Sequence, residues 1–247
     1  MISKYQYNSW PLGKLPPEFQ RPELRTIKEE LGYDWKDPRD VIDIFESKVA
    51  KFAGARYAVA VDCCSHGLFL SLKYLQATGE IPAKDYSVVI PSHTYLSVPM
   101  QIKHAGLNVT YEDLDWSGLY QLKGTNVWDA AVRWTKDMYI GNDALQVISF
   151  QLKKRIPIGK GGIILTNDEK AYNWLKLASY DGRDLTLPYT DEKHVRMIGY
   201  HMYMTPEDAA RGIILMDAVN KTTETPPDSG GHTNYPDISL IEVLING

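Results

Sequence analysis

Cysteine is nearly absent from this chain. Two residues of 247 are cysteine, and they are neighbours, Cys63 and Cys64. A disulfide between adjacent residues is strained and closes no useful loop, so a disulfide-stapled fold is excluded, metal binding is not indicated, and a reducing cytoplasm is the natural compartment. Long apolar runs are missing too. Nothing approaches the roughly 20 residues that span a bilayer, and the N-terminus, interrupted by Lys4, Asn8 and Pro11, lacks the apolar segment of a signal peptide. An excess of base is also lacking: the formal net charge is −4 and no basic stripe occurs, so neither nucleic acid nor membrane is expected as a partner. Internal repeats and low-complexity tracts are absent as well.

What is present is 44% hydrophobic residues, enough for one sizeable core or one core and a small appendage. Residues 1–37 are rich in Pro, aromatic and charged residues and read as an N-terminal arm with one short helix near Pro22–Leu31, either a subunit contact or a loosely packed leader. From 38 to 220 the pattern is regular. Val41, Phe45, Val49 and Phe52 recur at helical spacing over Pro38–Phe52, and the strand Tyr57–Val61 leads through the turn Asp62–Gly67 into a helix carrying Leu68, Leu72 and Leu75. Strand, small-residue turn and helix together present backbone N–H groups and a helix dipole to a phosphate, although a plain strand-to-helix turn has the same appearance. Val88–Ile90 is a second strand, followed by the helix Leu96–His104, and Asn108–Asp113 is a third. Asp168–Ser179 and Ala209–Val219 are helices, the latter opened by Thr205-Pro206-Glu207-Asp208. Residues 221–247, Pro/Gly/Thr-rich at the start, read as a linker or short tail.

The most informative stretch is Ser149 to Thr166. Leu145–Phe150 is a buried strand ending near a hydroxyl, Lys153-Lys154-Arg155 is a basic cluster, and Gly159, Gly161 and Gly162 break any helix before Ile163–Thr166 resumes a strand. A lysine that must reach into a buried site to form an imine wants such a strand end, with glycines letting another backbone approach. A surface basic patch is the alternative for the Lys-Lys-Arg run alone.

Ser149, Phe150, a lysine five positions after the serine and the Gly159-Lys160-Gly161-Gly162 run resemble the cofactor-lysine motif of the DegT/StrS family of pyridoxal-phosphate (PLP) sugar aminotransferases. The resemblance selects Lys154 over Lys153 as the lysine that holds PLP and Ser149 as a phosphate contact; Gln151 stands where a histidine is common. It places Cys64 and Ser65 at the Gly-Thr positions of the phosphate cradle. Tyr95, with His93 as alternate, takes the place of the aromatic that stacks on the cofactor ring. Asp129, in Asp129-Ala-Ala131, is the acid facing the ring nitrogen, where a carboxylate keeps the pyridinium protonated as an electron sink. His201 replaces an asparagine that reaches the phosphate bound to the partner subunit, which implies a homodimer.

The sequence departs from the family pattern in several places. Only about a dozen residues separate Trp116 from Asn126, where family members carry a further strand, loop and helix. Val132 cannot donate the hydrogen bond usual three residues after the aspartate, Tyr203 replaces an arginine, and the residues after Val219 are too few for the family's small C-terminal domain. The resemblance thus implies a three-layer α/β/α fold with a mostly parallel central sheet, like the large domain of fold-type I PLP enzymes. It also implies transfer of an amino group from an amino acid such as glutamate to a keto sugar, nucleotide-linked. A PLP-binding or regulatory partner protein without turnover is the alternative to which the substitutions point. The family's dehydratase branch has histidine in place of the lysine, and Lys154 argues against it.

Overall fold

In chain order the elements are α1 (Glu23–Glu29), α2 (Asp40–Ala53), β1 (Tyr57–Val61), α3 (Cys64–Thr78), β2 (Ser87–Pro91), α4 (Ser97–His104), β3 (Asn108–Glu112), β4 (Tyr120–Leu122), β5 (Val127–Asp129), β6 (Leu145–Ser149), β7 (Gly162–Thr166), α5 (Glu169–Ser179), α6 (Pro206–Val219) and α7 (Glu242–Asn246). The computed structural model describes residues 20–219 and 228–246. The first nineteen residues of the expected arm, residue 220, and 221–227 of the expected tail lie outside the described residues.

Period-two alternation explains the layering. On β1, Ala58 and Ala60 face one apolar cluster while Val59 and Val61 face another; on β7, Ile163 and Leu165 divide from Ile164 in the same way. A strand apolar on both faces must be covered on both. α1, α2 and α6 pack together on one side, with Val41, Phe45 and Val49 of α2 fully buried there, and α3, α4 and α5 cover the other. Helix starts follow local chemistry: the Asp168 carboxylate accepts from the Lys170 N–H (2.8 Å) and Thr205 Oγ1 accepts from the Asp208 N–H (3.2 Å).

Five strands form one sheet in the order β1-β7-β6-β5-β4, and β2 pairs with β3 separately. Val89 and Lys123 exchange backbone hydrogen bonds of 3.2 and 2.9 Å, which sets β2 beside the end of β4. The α/β sandwich is as expected, but the mostly parallel sheet is not. β2–β3 and β5–β6 are parallel, whereas β1–β7, β6–β7 and β4–β5 are antiparallel. The reason lies in the connections. A parallel crossover needs about a dozen residues and usually a helix. The turn from Leu122 to Val127 is too short for that, so the stretch where family members insert a crossover is here a hairpin with Tyr120 in register with Asp129. The β6–β7 link, residues 150–161, carries no helix and reverses the chain as well.

The described part of the expected tail is packed on the domain. The Gly118 N–H donates to Gly230 O (3.0 Å), His232 N–H to Trp116 O (3.0 Å) and Ile238 N–H to Ser92 O (2.9 Å), and the Ile238 side chain is fully buried. Among the described residues no helix is long and apolar enough to cross a membrane.

Candidate active site

A cavity of about 510 Å³ is lined by the start of α3, the Thr94–Val98 turn into α4, the end of β5 with Ala131 and Val132, residues of the C-terminal segment 229–235, and the loop after β6. That loop is pinned from below. Phe150, Ile156 and Ile158 are buried in the core shared with α2 and α6, and Phe150 meets Phe45 edge-on at 5.4 Å. Arg211 Nε donates to Ile158 O (3.0 Å), and the Phe150 N–H donates to Gly161 O (2.9 Å). With its base fixed, the loop lifts Lys154 into the cavity, half-buried, while Lys153 is exposed at the rim. Gly159 takes a φ of 126° to make the return. Gly162 allows the closest approach: a Cβ there would lie 2.5 Å from the Cys64 N, so only glycine lets β7 begin against the first turn of α3.

Cys63, Cys64 and Ser65 line the cavity from the N-terminus of α3, whose first amides have no intrahelical partner. Ser65 Oγ lies 2.6 Å from Ser97 Oγ, in the first turn of α4, so two helix N-termini meet on this wall. Just behind it, His66 and Asp62 form a 2.6 Å ion pair, and Lys160 lies 3.3 Å from the other Asp62 oxygen. The bond to Asp62 pushes the His66 imidazole up to about 10, and the Asp62 carboxyl, although partial burial opposes it, is held below its ordinary value by His66 and Lys160. Asp62, Cys63 and His66 have ligand-type atoms within 4.8 Å of one another, but those atoms are already engaged by each other, by Lys160 and by the His66 N–H that caps onto Cys63 Sγ.

Asp129 is the electrostatic centre. It is buried at the end of β5; burial pushes its carboxyl up, opposed by the Tyr120 hydroxyl, the Ala131 N–H (2.9 Å) and Lys154. The Tyr120 hydroxyl donates to Asp129 Oδ2, and Thr94 Oγ1, bonded to the same phenol, is then the donor to it. The Tyr120 phenol is pushed well up by burial and by Asp129. Lys154 is shifted the other way: burial lowers its ammonium, with Asp129 and Cys64 opposing. Burial, together with Asp129, raises the Cys64 thiol well above its usual range, so it stays a neutral wall group.

The sequence-selected residues divide cleanly. Lys154, Asp129, Cys64, Ser65, Tyr95 and Ser149 all line this cavity, with Tyr95 60% exposed at its edge. His201 does not line it: it is exposed, its Nδ1 lies 3.0 Å from Asp181, and its ring meets Tyr203 edge-on. Sequence reasoning missed Tyr120, Thr94 and Ser97, and from the expected tail Ser229, Asn234 and Tyr235. A hairpin reading of Lys123-Gly-Thr-Asn126 would have put Tyr120 opposite Asp129; the C-terminal residues carry no motif.

A cavity of this size between an amine of lowered basicity, a buried carboxylate and a helix N-terminus fits a flat, phosphorylated pyridine aldehyde. The carboxylate suits a protonated ring nitrogen and the α3 amides with Ser65 suit a phosphate.

The model of the DegT/DnrJ/EryC1/StrS aminotransferase family matches residues 18–136 and 130–226. The two matches overlap at residues 130–136, just after β5. Spore coat polysaccharide biosynthesis protein SpsC of Bacillus subtilis (strain 168) is 25% identical over 67% of this chain and 52% of its own length. Uncharacterized protein MJ1066 of Methanocaldococcus jannaschii is 23% identical over 77% of this chain and 60% of its own. The chain thus spans little more than half of these relatives. Among solved structures, sugar aminotransferase CalS13 from Micromonospora echinospora superposes with a TM-score of 0.62 at 18% identity, covering 81% of this chain and 65% of that one. GDP-4-keto-6-deoxymannose-3-dehydratase (ColD) does so at 0.60 and 16%, with the same coverage. At these identities the structures show the fold.

Proposed function

We propose, since the chain belongs to the DegT/DnrJ/EryC1/StrS aminotransferase family, that it is a PLP-dependent aminotransferase moving an amino group from an amino acid such as glutamate to a keto sugar carried on a nucleotide. The supporting observation is the pairing of Lys154 and Asp129 on one cavity, an amine made less basic and a carboxylate kept in a low-dielectric site by two donors. Bound PLP supplies an aldehyde with which amines condense and a ring that accepts the electron pair left when a neighbouring C–H proton departs.

The rest is work for the chain's own residues. Burial increases the neutral fraction of Lys154, the form that is both nucleophile and proton acceptor, so this amine holds the cofactor and then moves the proton on the substrate carbon. Asp129 keeps a proton at the ring nitrogen. Ser65, Ser149 and the first α3 amides bind phosphate, while Cys64 and Tyr95 flank the ring. The named role of SpsC in spore coat polysaccharide biosynthesis supports the supply of an amino sugar for such a polymer. His201, exposed and away from its own cavity, has the placement that a residue serving the second subunit of a homodimer needs.

Mixing the PLP-loaded protein with glutamate in the absence of any sugar tests the reading. It predicts one equivalent of 2-oxoglutarate per site, with bleaching of the yellow absorbance, and neither in Lys154→Ala. A loaded protein that releases no keto acid from any common amino donor would contradict it.

A further inference from the structure

We infer that residues 228–235 form a working wall of this cavity, and that the Asn234 carboxamide is a positioning group that donates a hydrogen bond to an acceptor oxygen of the molecule bound there. The inference rests on the proposed PLP-dependent activity.

Two features carry it. The first is how firmly the segment is held against the hairpin side of the cavity. The Ser229 N–H and Oγ both donate to Val132 O (2.9 and 2.8 Å), the Tyr235 ring stacks on Trp116 at 5.7 Å between centroids, and His93 Nδ1 lies 2.9 Å from Tyr235 O. At Gly230 a Cβ would come 3.1 Å from Asn234 Oδ1 and 3.4 Å from Val132 Cγ1, so this glycine lies close to both the carboxamide and the Val132 side chain.

The second is the orientation of that carboxamide. Asn234 Oδ1 accepts from the Gly231 N–H at 2.8 Å. A backbone N–H can only donate, so the oxygen must face it and the NH2 must lie on the other side. Among the described residues that NH2 meets no acceptor, and Asn234, itself exposed, lines the cavity. At the open side of the cavity that NH2 is available to exchange water for an acceptor on a bound molecule. The ligand chemistry it fits is an oxygen of the bound cofactor that accepts, such as its phenolate. The Tyr235 phenol, pushed up to about 12 by burial with further contributions from Asp129 and Cys64, stays protonated and adds a second donor to the same wall.

Asn234→Asp separates positioning from packing, because a carboxylate can still accept from the Gly231 N–H but offers the cavity a negative oxygen in place of a donor. Asn234→Ala removes both. In the full chain we expect Asn234→Asp to melt with the wild type, to bind PLP at least ~10-fold more weakly by equilibrium dialysis, and to shift the pH midpoint of the bound cofactor's absorbance. Wild-type affinity and an unshifted midpoint in Asn234→Asp, with only Asn234→Ala impaired, would make the side chain structural and overturn the inference alone. A wild-type protein that takes up no PLP would overturn the parent reading, and this one with it.

Discussion

The Tyr120 hydroxyl donates a 2.7 Å hydrogen bond to Asp129 Oδ2, and the two residues are direct register partners across the β4–β5 hairpin. A short turn, where family members carry a crossover, has therefore set a phenol against the acid on which the site depends. Removing that donor leaves the buried carboxylate with only the Ala131 N–H and the more distant Lys154 to oppose its desolvation. Tyr120→Phe is expected to raise the Asp129 pKa further, to move the acid limb of the rate profile to higher pH, and to cost about 1–3 kcal/mol of stability. The limb is read from kcat/KM against pH; an unmoved limb would separate Tyr120 from the ionisation of Asp129.

Asp129→Asn sets function against stability. A carboxyl whose folded pKa is raised favours the folded state most below its unfolded value, and that contribution is lost as pH rises through the folded value, so at neutral pH the buried charge is a cost. The cofactor-free variant should melt at or above the wild type at pH 7.5, while the reaction with glutamate slows at least ~100-fold. Thermal melts and single-turnover kinetics on one preparation check both. A variant that is destabilised yet fully active would reverse the assignment.

His66 and Asp62 give a stability signature behind the phosphate wall. The imidazole, raised to about 10, stabilises fully below its unfolded value and loses that contribution as pH climbs through about 10. Asp62, lowered, contributes above its unfolded value and loses it on acidification. His66→Ala should therefore cost about 1–2 kcal/mol at pH 6.5, after discounting for solvent screening, and close to nothing at pH 10.5. Denaturant melts at the two pH values would show the difference shrink; an equal cost at both would mean that packing, and not charge, is what the variant loses.

Lys176 anchors the far side of the sandwich. Its ammonium lies 2.8 Å from both Asp43 and Glu46; burial acts to lower it, but the two carboxylates outweigh burial and raise it. Glu46 is buried and also accepts the Ala60 N–H at 2.7 Å. Lys176→Met leaves a buried carboxylate without its partner and should cost about 3–5 kcal/mol, much of it recovered in Lys176→Met/Glu46→Gln. Failure of the double variant to recover stability would place the effect in packing.

How much of the molecule can be read from its sequence depends on which interactions leave a local trace. β1, β6 and β7 were legible because both faces of each are apolar, and Lys154 because its distance from Ser149 and the glycine run form one pattern. The hairpin was not: Tyr120–Leu122 and Val127–Asp129 are too short to show a period, and the parallel sheet inferred by resemblance presupposed a crossover that the chain does not contain. The C-terminal wall was invisible for another reason. Its attachment runs through backbone hydrogen bonds to Trp116, Gly118 and Val132 and through two buried side chains, Ile238 and Leu244, and its glycines and prolines read locally as a linker.

The central claim is that the half-buried Lys154, and not its exposed neighbour Lys153, holds the cofactor. Incubating the protein with PLP, reducing with borohydride and mapping the modified peptide by mass spectrometry tests it most directly. The account predicts one reduced pyridoxyl phosphate per chain on Lys154, retained in Lys153→Ala and lost in Lys154→Ala. A label on Lys153, or label spread over surface lysines with none on Lys154, would contradict it.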